Sequence, residues 1–238
     1  MQIIGHRGAR GEAPENTLGG FQYLANLGIH AVEFDVRQLK DLSLIVMHDD
    51  NFKRTTGLNK PVAQYSTTEH NKFDHRIEWP SWPTPELTPT LPEVLTRIQH
   101  FKHIEVEVKA VANQAAAEQI VPLLINALAG FETQATITSF DTKILTVLQQ
   151  HQTHFKRGLL LEKHPERGIE TALKLGCDRI GWSNKLATKQ RIAQTHQAAL
   201  KSSVWTVNQV DRAKQLRDWG VQGLITDHPK IMLHELQQ

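Results

Sequence analysis

Short apolar runs rich in β-branched residues alternate along this chain with longer segments of helical length. Nine of these runs predict strands, at residues 2–5, 31–35, 44–47, 104–108, 135–140, 158–161, 179–183, 203–207 and 223–226. Seven segments between them predict helices, at residues 16–27, 92–99, 112–129, 142–150, 166–175, 188–200 and 211–219. This alternation is typical of an α/β protein with a parallel sheet.

The lengths of the connections decide how the strands pair. A crossover between parallel strands needs about a dozen residues or more, and residues 36–43 are too few to connect the second and third runs that way. We therefore predict that residues 44–47 fold back antiparallel, with a turn at Lys40-Asp41 that returns His48 to the level of Glu33. The eight remaining strands predict a TIM (β/α)8 barrel, a fold of about 250 residues.

The segment at residues 51–91 has no clear period, and four prolines between positions 80 and 89 exclude a regular element there. Its place directly after the hairpin favours a small cap over the barrel mouth, and a plain surface loop is the alternative. We refer to residues 51–91 as the cap segment. The prediction is one domain, residues 1–238, with the cap segment as its insertion.

Composition narrows the class of protein. The charge is nearly balanced, with 27 Lys and Arg against 25 Asp and Glu and no long basic run, so we expect no nucleic-acid partner. The single cysteine, Cys177, cannot form an internal disulfide, which fits a reducing cytoplasm. We expect a cytoplasmic protein without stable membrane insertion, because the sequence shows neither an export signal nor an apolar stretch of about 20 residues. The oligomeric state is left open.

Candidate chemistry begins at the tip of the first predicted strand, where His6 and Arg7 stand together. An imidazole exchanges protons near neutral pH, and a guanidinium can bind a phosphate with two parallel hydrogen bonds. Barrel enzymes carry their catalytic groups at such strand tips.

Acidic residues occupy two further strands. Glu33 and Asp35 are two positions apart and so point to one face, where like charges raise each other's pKa unless a cation neutralises them. With Glu107 they would form an oxygen site suited to Mg²⁺ or Ca²⁺, although tip residues facing solvent are the alternative. Glu105 shares the face of Glu107 at a deeper level, and an assisting role for it stays open.

Lys109 and two histidines complete the candidate set. Lys109, two residues after Glu107, supplies with Arg7 a second cation for a phosphate, unless it only forms a salt bridge to Glu107. His6 and His48 on either side of a phosphate suit general acid and base catalysis, because an alkoxide leaving group needs a proton. Asp49 could orient an imidazole or bind solvent, and we interpret it as an ordinary polar residue.

An ordered series of motifs resembles the glycerophosphodiester phosphodiesterases over nearly the whole chain. The series comprises His6-Arg7-Gly8, Pro14-Glu15-Asn16-Thr17, Glu33-Phe34-Asp35-Val36, His48-Asp49, Arg54-Thr55-Thr56-Gly57, Thr90-Leu91-Pro92-Glu93-Val94-Leu95, Glu107-Val108-Lys109, Ser139-Phe140, Trp205-Thr206-Val207-Asn208 and Thr226-Asp227-His228-Pro229. The resemblance implies a TIM barrel with a small insertion. It also implies metal-dependent hydrolysis of a small-molecule glycerophosphodiester to sn-glycerol 3-phosphate and an alcohol.

The resemblance also implies roles for single residues. His6 and His48 match the acid/base pair. The metal ligands of the family are matched by Glu33, Asp35 and Glu107, and its phosphate contacts by Arg7 and Lys109. Trp205 matches an aromatic residue that borders the glycerol pocket, with ordinary rim packing as the alternative. Asn16 matches the motif or else caps the first helix, and the strand ends at Ser139-Phe140 and Thr226-Asp227 are interpreted as structural. Members often carry asparagine at the position of Glu105.

Two rival functions follow from the same residues. Attack by the glycerol 2-hydroxyl that stopped at a cyclic phosphate would make the protein a lyase-type enzyme. A catalytically silent barrel could instead bind glycerophospho compounds as a sensor. The presence of all seven polar candidate residues favours the hydrolase.

Overall fold

Nine strands form one sheet, which curves until its first strand pairs with its second. The strands are β1 Gln2–His6, β2 Ala31–Gln38, β3 Leu44–Val46, β4 His103–Val108, β5 Ala135–Ser139, β6 Lys156–Leu161, β7 Arg179–Ser183, β8 Lys201–Trp205 and β9 Gly223–Thr226. All except β3 run parallel around the ring, which confirms the predicted TIM barrel. The structure is a computed structural model and describes residues 1–70 and 72–236.

Except for two short ones in the cap segment, the helices cover the outside of the barrel. They are α1 Leu18–Asn26, α2 Lys53–Thr56, α3 Thr67–His70, α4 Leu91–Arg97, α5 Gln114–Ala127, α6 Thr142–Gln150, α7 Gly168–Lys174, α8 Lys189–Gln197, α9 Val210–Asp218 and α10 Pro229–Leu236. All seven predicted helices are present, while α2, α3 and α10 were not predicted. Within the described ranges, no helix combines the length and apolar character needed to cross a bilayer.

The core lies between the barrel and this helical layer. Phe21 and Leu24 of α1 and Val121 and Leu124 of α5 are fully buried, and burying one such side chain contributes about 1.5–3 kcal/mol. Trp182 on β7 is fully buried as well, and its indole N–H donates to Thr195 Oγ1 at 3.1 Å. The helices therefore pack against the outer side of the strands and leave the strand tips uncovered.

The hairpin of β2 and β3 has the predicted antiparallel register. Val36 pairs with Val46, and the Met47 N–H donates to the Asp35 carbonyl at 2.9 Å. One more step along this register brings His48 level with position 34, between Glu33 and Asp35. The prediction from the turn at Lys40-Asp41 is thus confirmed to within one residue.

The cap segment contains more regular structure than its sequence suggested. Helices α2 and α3 and a 3-10 turn at Val62–Gln64 precede the proline-rich part, and residues 72–90 consist of turns, irregular backbone and single bridges. A small core stabilises it, in which Phe52 packs against Phe73 with ring centroids 4.5 Å apart. The 3.6-residue period went undetected because each helix in this segment has only four residues.

A buried histidine fastens the two ends of the cap segment together. His75 is bonded through Nδ1 to Thr55 Oγ1 at 2.8 Å and through Nε2 to Thr88 Oγ1 at 2.6 Å. Burial lowers the pKa of His75 to about 4, so the ring stays neutral in the folded protein at physiological pH.

We predict that this histidine makes the protein less stable in mild acid. In the unfolded chain the ring has its ordinary pKa of about 6.5, so the unfolded state binds a proton that the folded state excludes until the pH approaches 4. The free energy of unfolding therefore falls as the pH drops below 6.5, by about 2 kcal/mol between pH 7.5 and 5 from this residue. Urea denaturation of the wild type and His75→Gln at both pH values measures this difference. An equal loss in the two proteins would contradict the prediction.

Candidate active site

A cavity of about 280 Å³ opens at the carboxyl ends of the barrel strands. Seven of the eight predicted site residues line it, and the eighth, Asp35, lies behind them with 1 % of its surface exposed. The lining residues are His6, Arg7, Arg10, Glu33, His48, Glu105, Glu107, Lys109, Thr138, Phe140, Leu160, Glu162, Trp205, Thr206 and Ile225. Residues from 6 to 225 along the chain thus meet in one cavity, as the barrel prediction required.

The turn after β1 is tight and holds Arg7 in an unusual conformation. A side chain at Gly5 would come within 1.9 Å of the Gly8 carbonyl oxygen, so this approach requires glycine. Arg7 has a φ of 52°, which costs a non-glycine residue roughly 1–2 kcal/mol. Two hydrogen bonds offset this strain, from the Arg7 N–H to Glu33 Oε2 at 3.1 Å and from the Asn16 N–H to the Arg7 carbonyl at 2.9 Å.

The parallel register of β2 and β4 assembles the carboxylates. Asp35 pairs with Glu107 across the two strands, and oxygen atoms of Glu33, Asp35 and Glu107 lie within 4.8 Å of one another. Burial and the neighbouring carboxylates raise the pKa of Glu33 and of Glu107. Burial acts in the same direction on Asp35, but the Lys109 and Arg7 cations outweigh it and bring the pKa of that carboxyl well below its usual range.

Two cations partly neutralise this group. Lys109 Nζ lies 2.6 Å from Asp35 Oδ1 and also contacts Glu107, and Arg7 Nε lies 3.2 Å from Asp35 Oδ2. The salt bridge considered for Lys109 is therefore present, with Asp35 as a further partner. With all three carboxylates ionised, as metal ligation requires, they and the two cations carry one net negative charge, so an oxygen-binding divalent cation fits the donor set.

Glu105 lies one level deeper and is engaged elsewhere. Its carboxylate is bonded to Arg179 and to His103, and Arg179 lowers its pKa to about 2 although burial opposes this. The compact oxygen group at the cavity contains Glu33, Asp35 and Glu107 without Glu105. The structure thus provides no support for an assisting role of Glu105 at that group.

Each of the two candidate histidines is bonded to an aspartate. His6 Nδ1 lies 2.6 Å from Asp227 Oδ1, and His48 Nδ1 lies 2.6 Å from Asp49 Oδ1. Burial opposes it, but the hydrogen bond from His6 lowers the pKa of Asp227 to about 2. An ionised carboxylate can only accept, so Nδ1 of His6 carries the proton and Nε2 has a free lone pair.

The same reasoning applies to His48. The Arg54 guanidinium and the His48 ring hold the pKa of Asp49 below its usual value against the effect of burial, so this carboxylate also accepts. Burial lowers the pKa of both histidines, and both rings are therefore neutral near pH 7.

These contacts correct two interpretations made from the sequence. Asp49 is more than an ordinary polar residue, and Asp227 is more than a structural strand end, because each contacts a candidate catalytic histidine. The position of Asp227 near His6 could have been predicted from the closure of the barrel. The ring closes with β9 beside β1 and Gly5 level with Thr226, so the next residue after Thr226 must lie near His6.

Asn16 is not the cap of the first helix. Thr17 takes that position and its Oγ1 accepts a hydrogen bond from the Gly20 N–H at 3.0 Å. The Asn16 amide instead donates to Asp35 Oδ2 at 2.9 Å, so this residue supports the carboxylate group.

One wall of the cavity is aromatic. Trp205 and Phe140 meet edge to face with ring centroids 5.3 Å apart, and the Trp205 indole N–H donates to the Gly181 carbonyl at 3.1 Å. The cavity therefore presents charged groups on one side and an apolar surface on the other.

Comparison with known proteins agrees with this geometry. The glycerophosphoryl diester phosphodiesterase family matches residues 6–231. A glycerophosphodiester phosphodiesterase from Caldanaerobacter subterraneus is 27% identical over 235 residues, covering 98% of this chain and 96% of that protein.

Solved structures show the same fold. A phosphodiesterase from Oleispira antarctica, solved in complex with the product sn-glycerol-3-phosphate, superposes with a TM-score of 0.89 at 22% identity, covering 100% of this chain and 97% of the other. A glycerophosphodiester phosphodiesterase from Thermotoga maritima superposes with a TM-score of 0.80 at 22% identity, with 98% and 96% coverage. Because the family match spans nearly the whole chain, the protein belongs to the glycerophosphoryl diester phosphodiesterase family of enzymes.

Proposed function

We propose that this enzyme hydrolyses glycerophosphodiesters, which are deacylated phospholipids, to sn-glycerol 3-phosphate and an alcohol. The observation that carries the proposal is the meeting of two histidine–aspartate pairs, three carboxylates and two cations around one cavity. The product held by the Oleispira antarctica structure supports the same substrate class.

The proposal includes a divalent cation, Mg²⁺ or Ca²⁺, held by Glu33, Asp35 and Glu107. Such a cation supplies Lewis acidity that stabilises negative charge on the phosphate oxygens. It would turn the net charge of the carboxylates, Arg7 and Lys109 from one negative to one positive. The single negative charge of a phosphodiester then balances the site, which favours a diester over a doubly charged monoester.

The side chains of the protein bind the phosphate, transfer the protons and contact the glycerol. Arg7 and Lys109 bind the phosphate and take up the charge that grows on it in the transition state. Of His6 and His48, one removes the proton through its free Nε2 from the attacking water, or from the glycerol 2-hydroxyl where a cyclic phosphate forms first and water then opens it. The other first takes up a proton at Nε2 and then gives it to the leaving alkoxide. Trp205 and Phe140 offer an apolar surface to the carbon side of the glycerol.

We also propose that residues 1–238 act as one catalytic domain with the cap segment at the mouth of the barrel. Contacts of Arg54 with Glu15 and Asp49 support this arrangement. The free and buried thiol of Cys177 is compatible with action in the cytoplasm.

The first prediction concerns the reaction itself. The enzyme should release glycerol 3-phosphate from glycerophosphocholine, glycerophosphoethanolamine or glycerophosphoglycerol, and EDTA should abolish the release because three like carboxylates then lack their counter-ion. A coupled glycerol 3-phosphate assay measures this, with the His6→Ala, His48→Ala double variant as the background. Turnover no higher than that background would favour a silent binding barrel. A cyclic phosphate that accumulates in phosphorus NMR would indicate the lyase-type reaction.

The second prediction separates the acid from the base. With natural substrates, His6→Ala and His48→Ala should each lower kcat by about 10²–10⁴. With a p-nitrophenyl diester, whose leaving group needs no proton, the variant that lacks the acid should keep most of the wild-type kcat, while the variant that lacks the base should not. If both variants lose equally on both substrates, the division of roles is wrong.

The third prediction concerns the carboxylates. Glu33→Gln and Glu107→Gln keep the side-chain shape but remove a charged oxygen, so calorimetric binding of Mg²⁺ or Ca²⁺ should weaken at least about tenfold. Without metal, neither substitution should lower the melting temperature, because each removes like-charge repulsion. Glu118→Gln, an exposed residue of α5, is the control and should bind metal like the wild type. Unchanged affinity in both site variants would refute the assignment.

A further inference from the structure

Arg54 bridges two loops of the site, and the chemistry proposed so far gives it no part. Its guanidinium donates to both oxygens of Glu15, from Nη1 to Oε2 and from Nη2 to Oε1, each at 2.7 Å. The same group donates from Nε to Asp49 Oδ2 at 2.7 Å. Glu15 follows β1 and Asp49 follows β3, so one side chain of the cap segment joins the two loops.

Each of these carboxylates contacts a residue that lines the cavity. Glu15 Oε1 accepts from Arg7 Nη1 at 2.9 Å, and Asp49 Oδ1 contacts His48 Nδ1 at 2.6 Å. A continuous path of hydrogen bonds therefore runs from the proposed phosphate contact Arg7, through Arg54, to the proposed acid/base His48.

Arg54 supplies much of the support that these carboxylates have. Glu15 is 6 % exposed and accepts four hydrogen bonds, two of them from Arg54. Burial raises the pKa of Glu15, but Arg54 and Arg7 together lower it to about 2. Among the residues that the structure describes, the side-chain hydrogen bonds left without Arg54 would be those of Glu15 with Arg7 and the partly exposed Arg10 and that of Asp49 with His48.

Hydrogen bonds within the cap segment fix the backbone around Arg54. Its neighbour Thr55 is bonded to His75, which in turn is bonded to Thr88. The Thr56 hydroxyl donates to the Phe52 carbonyl at 2.7 Å within the same short helix. Arg54 is thus presented by a fixed backbone and can transmit the position of the cap segment to both loops.

We propose that Arg54 is a positioning residue that keeps Arg7 and His48 in their catalytic arrangement through Glu15 and Asp49. The proposal rests on the proposed function for its effect on turnover. The planar guanidinium is essential to it, because an ammonium group cannot bind two carboxylates with this geometry.

The kinetic test uses three variants with the most active diester of the substrate panel. Arg54→Gln should lower kcat about 10- to 100-fold, as expected for small misplacement of reacting groups, and Arg54→Lys should restore little of it. Arg76→Gln is the matched control, because Arg76 is another arginine of the cap segment that pairs with a carboxylate, Asp74. It should leave kcat within about twofold of the wild type. Equal kcat for Arg54→Gln and Arg76→Gln would overturn the proposal.

A double-mutant cycle tests whether Arg54 acts through Asp49. The loss in the double variant Arg54→Gln, Asp49→Asn should be smaller than the product of the single losses, since both substitutions release the same imidazole. Paired with Asp227→Asn, which acts on the other histidine, Arg54→Gln should instead give multiplicative losses. Multiplicative losses in both cycles would exclude a path through Asp49.

Nitrogen-15 NMR of the histidine rings gives a readout without turnover. In the wild type, the ring of His48 should show Nδ1 protonated and Nε2 free, and Arg54→Gln should shift it towards a mixture of tautomers. The His6 signals should stay unchanged, and a His48→Gln spectrum assigns the peaks. Unaltered His48 signals in Arg54→Gln would refute the positioning role. If the wild type is inactive but these shifts occur, the proposed function fails while the positioning role stands.

Discussion

The repulsion among three buried carboxylates is the constraint around which this site is built. The register of β2 and β4 brings Glu33, Asp35 and Glu107 together irrespective of the energetic cost, because alternate residues of neighbouring parallel strands face the same side. Lys109, Arg7 and the Asn16 amide then surround Asp35, the most deeply buried of the three. Even the left-handed backbone of Arg7 is explained by this need, since it directs the Arg7 N–H at Glu33.

Each of the two histidines is held by an aspartate, but the two aspartates come from different parts of the chain. Asp49 is the next residue after His48, whereas Asp227 lies at the far end of the chain from His6. In both pairs an ionised carboxylate fixes the Nδ1 proton and leaves Nε2 available. The pairs differ in burial, since the His6 side chain is 10% exposed and that of His48 is 35% exposed. The site thus combines one buried and one more accessible imidazole.

Much of this architecture could be predicted from the sequence. The strands were recognised because each is a short apolar run, most of them rich in β-branched residues, and the level of His48 followed from the length of one connection. The helices of the cap segment were missed since four residues are too few to show a helical period. The contacts of Arg54 could not be predicted because they join two loops through a segment without regular period. Asp227 was misinterpreted because its importance follows from barrel closure and not from its neighbours in sequence.

The bond between His6 and Asp227 spans 221 positions of the chain. During synthesis, the first strand would be complete long before its last neighbour leaves the ribosome, since domains are built from the amino end. Until β9 joins β1, His6 has no carboxylate to select its tautomer, and the ring of strands stays open. The fold therefore delays the assembly of a working centre until the chain has been made as far as Asp227.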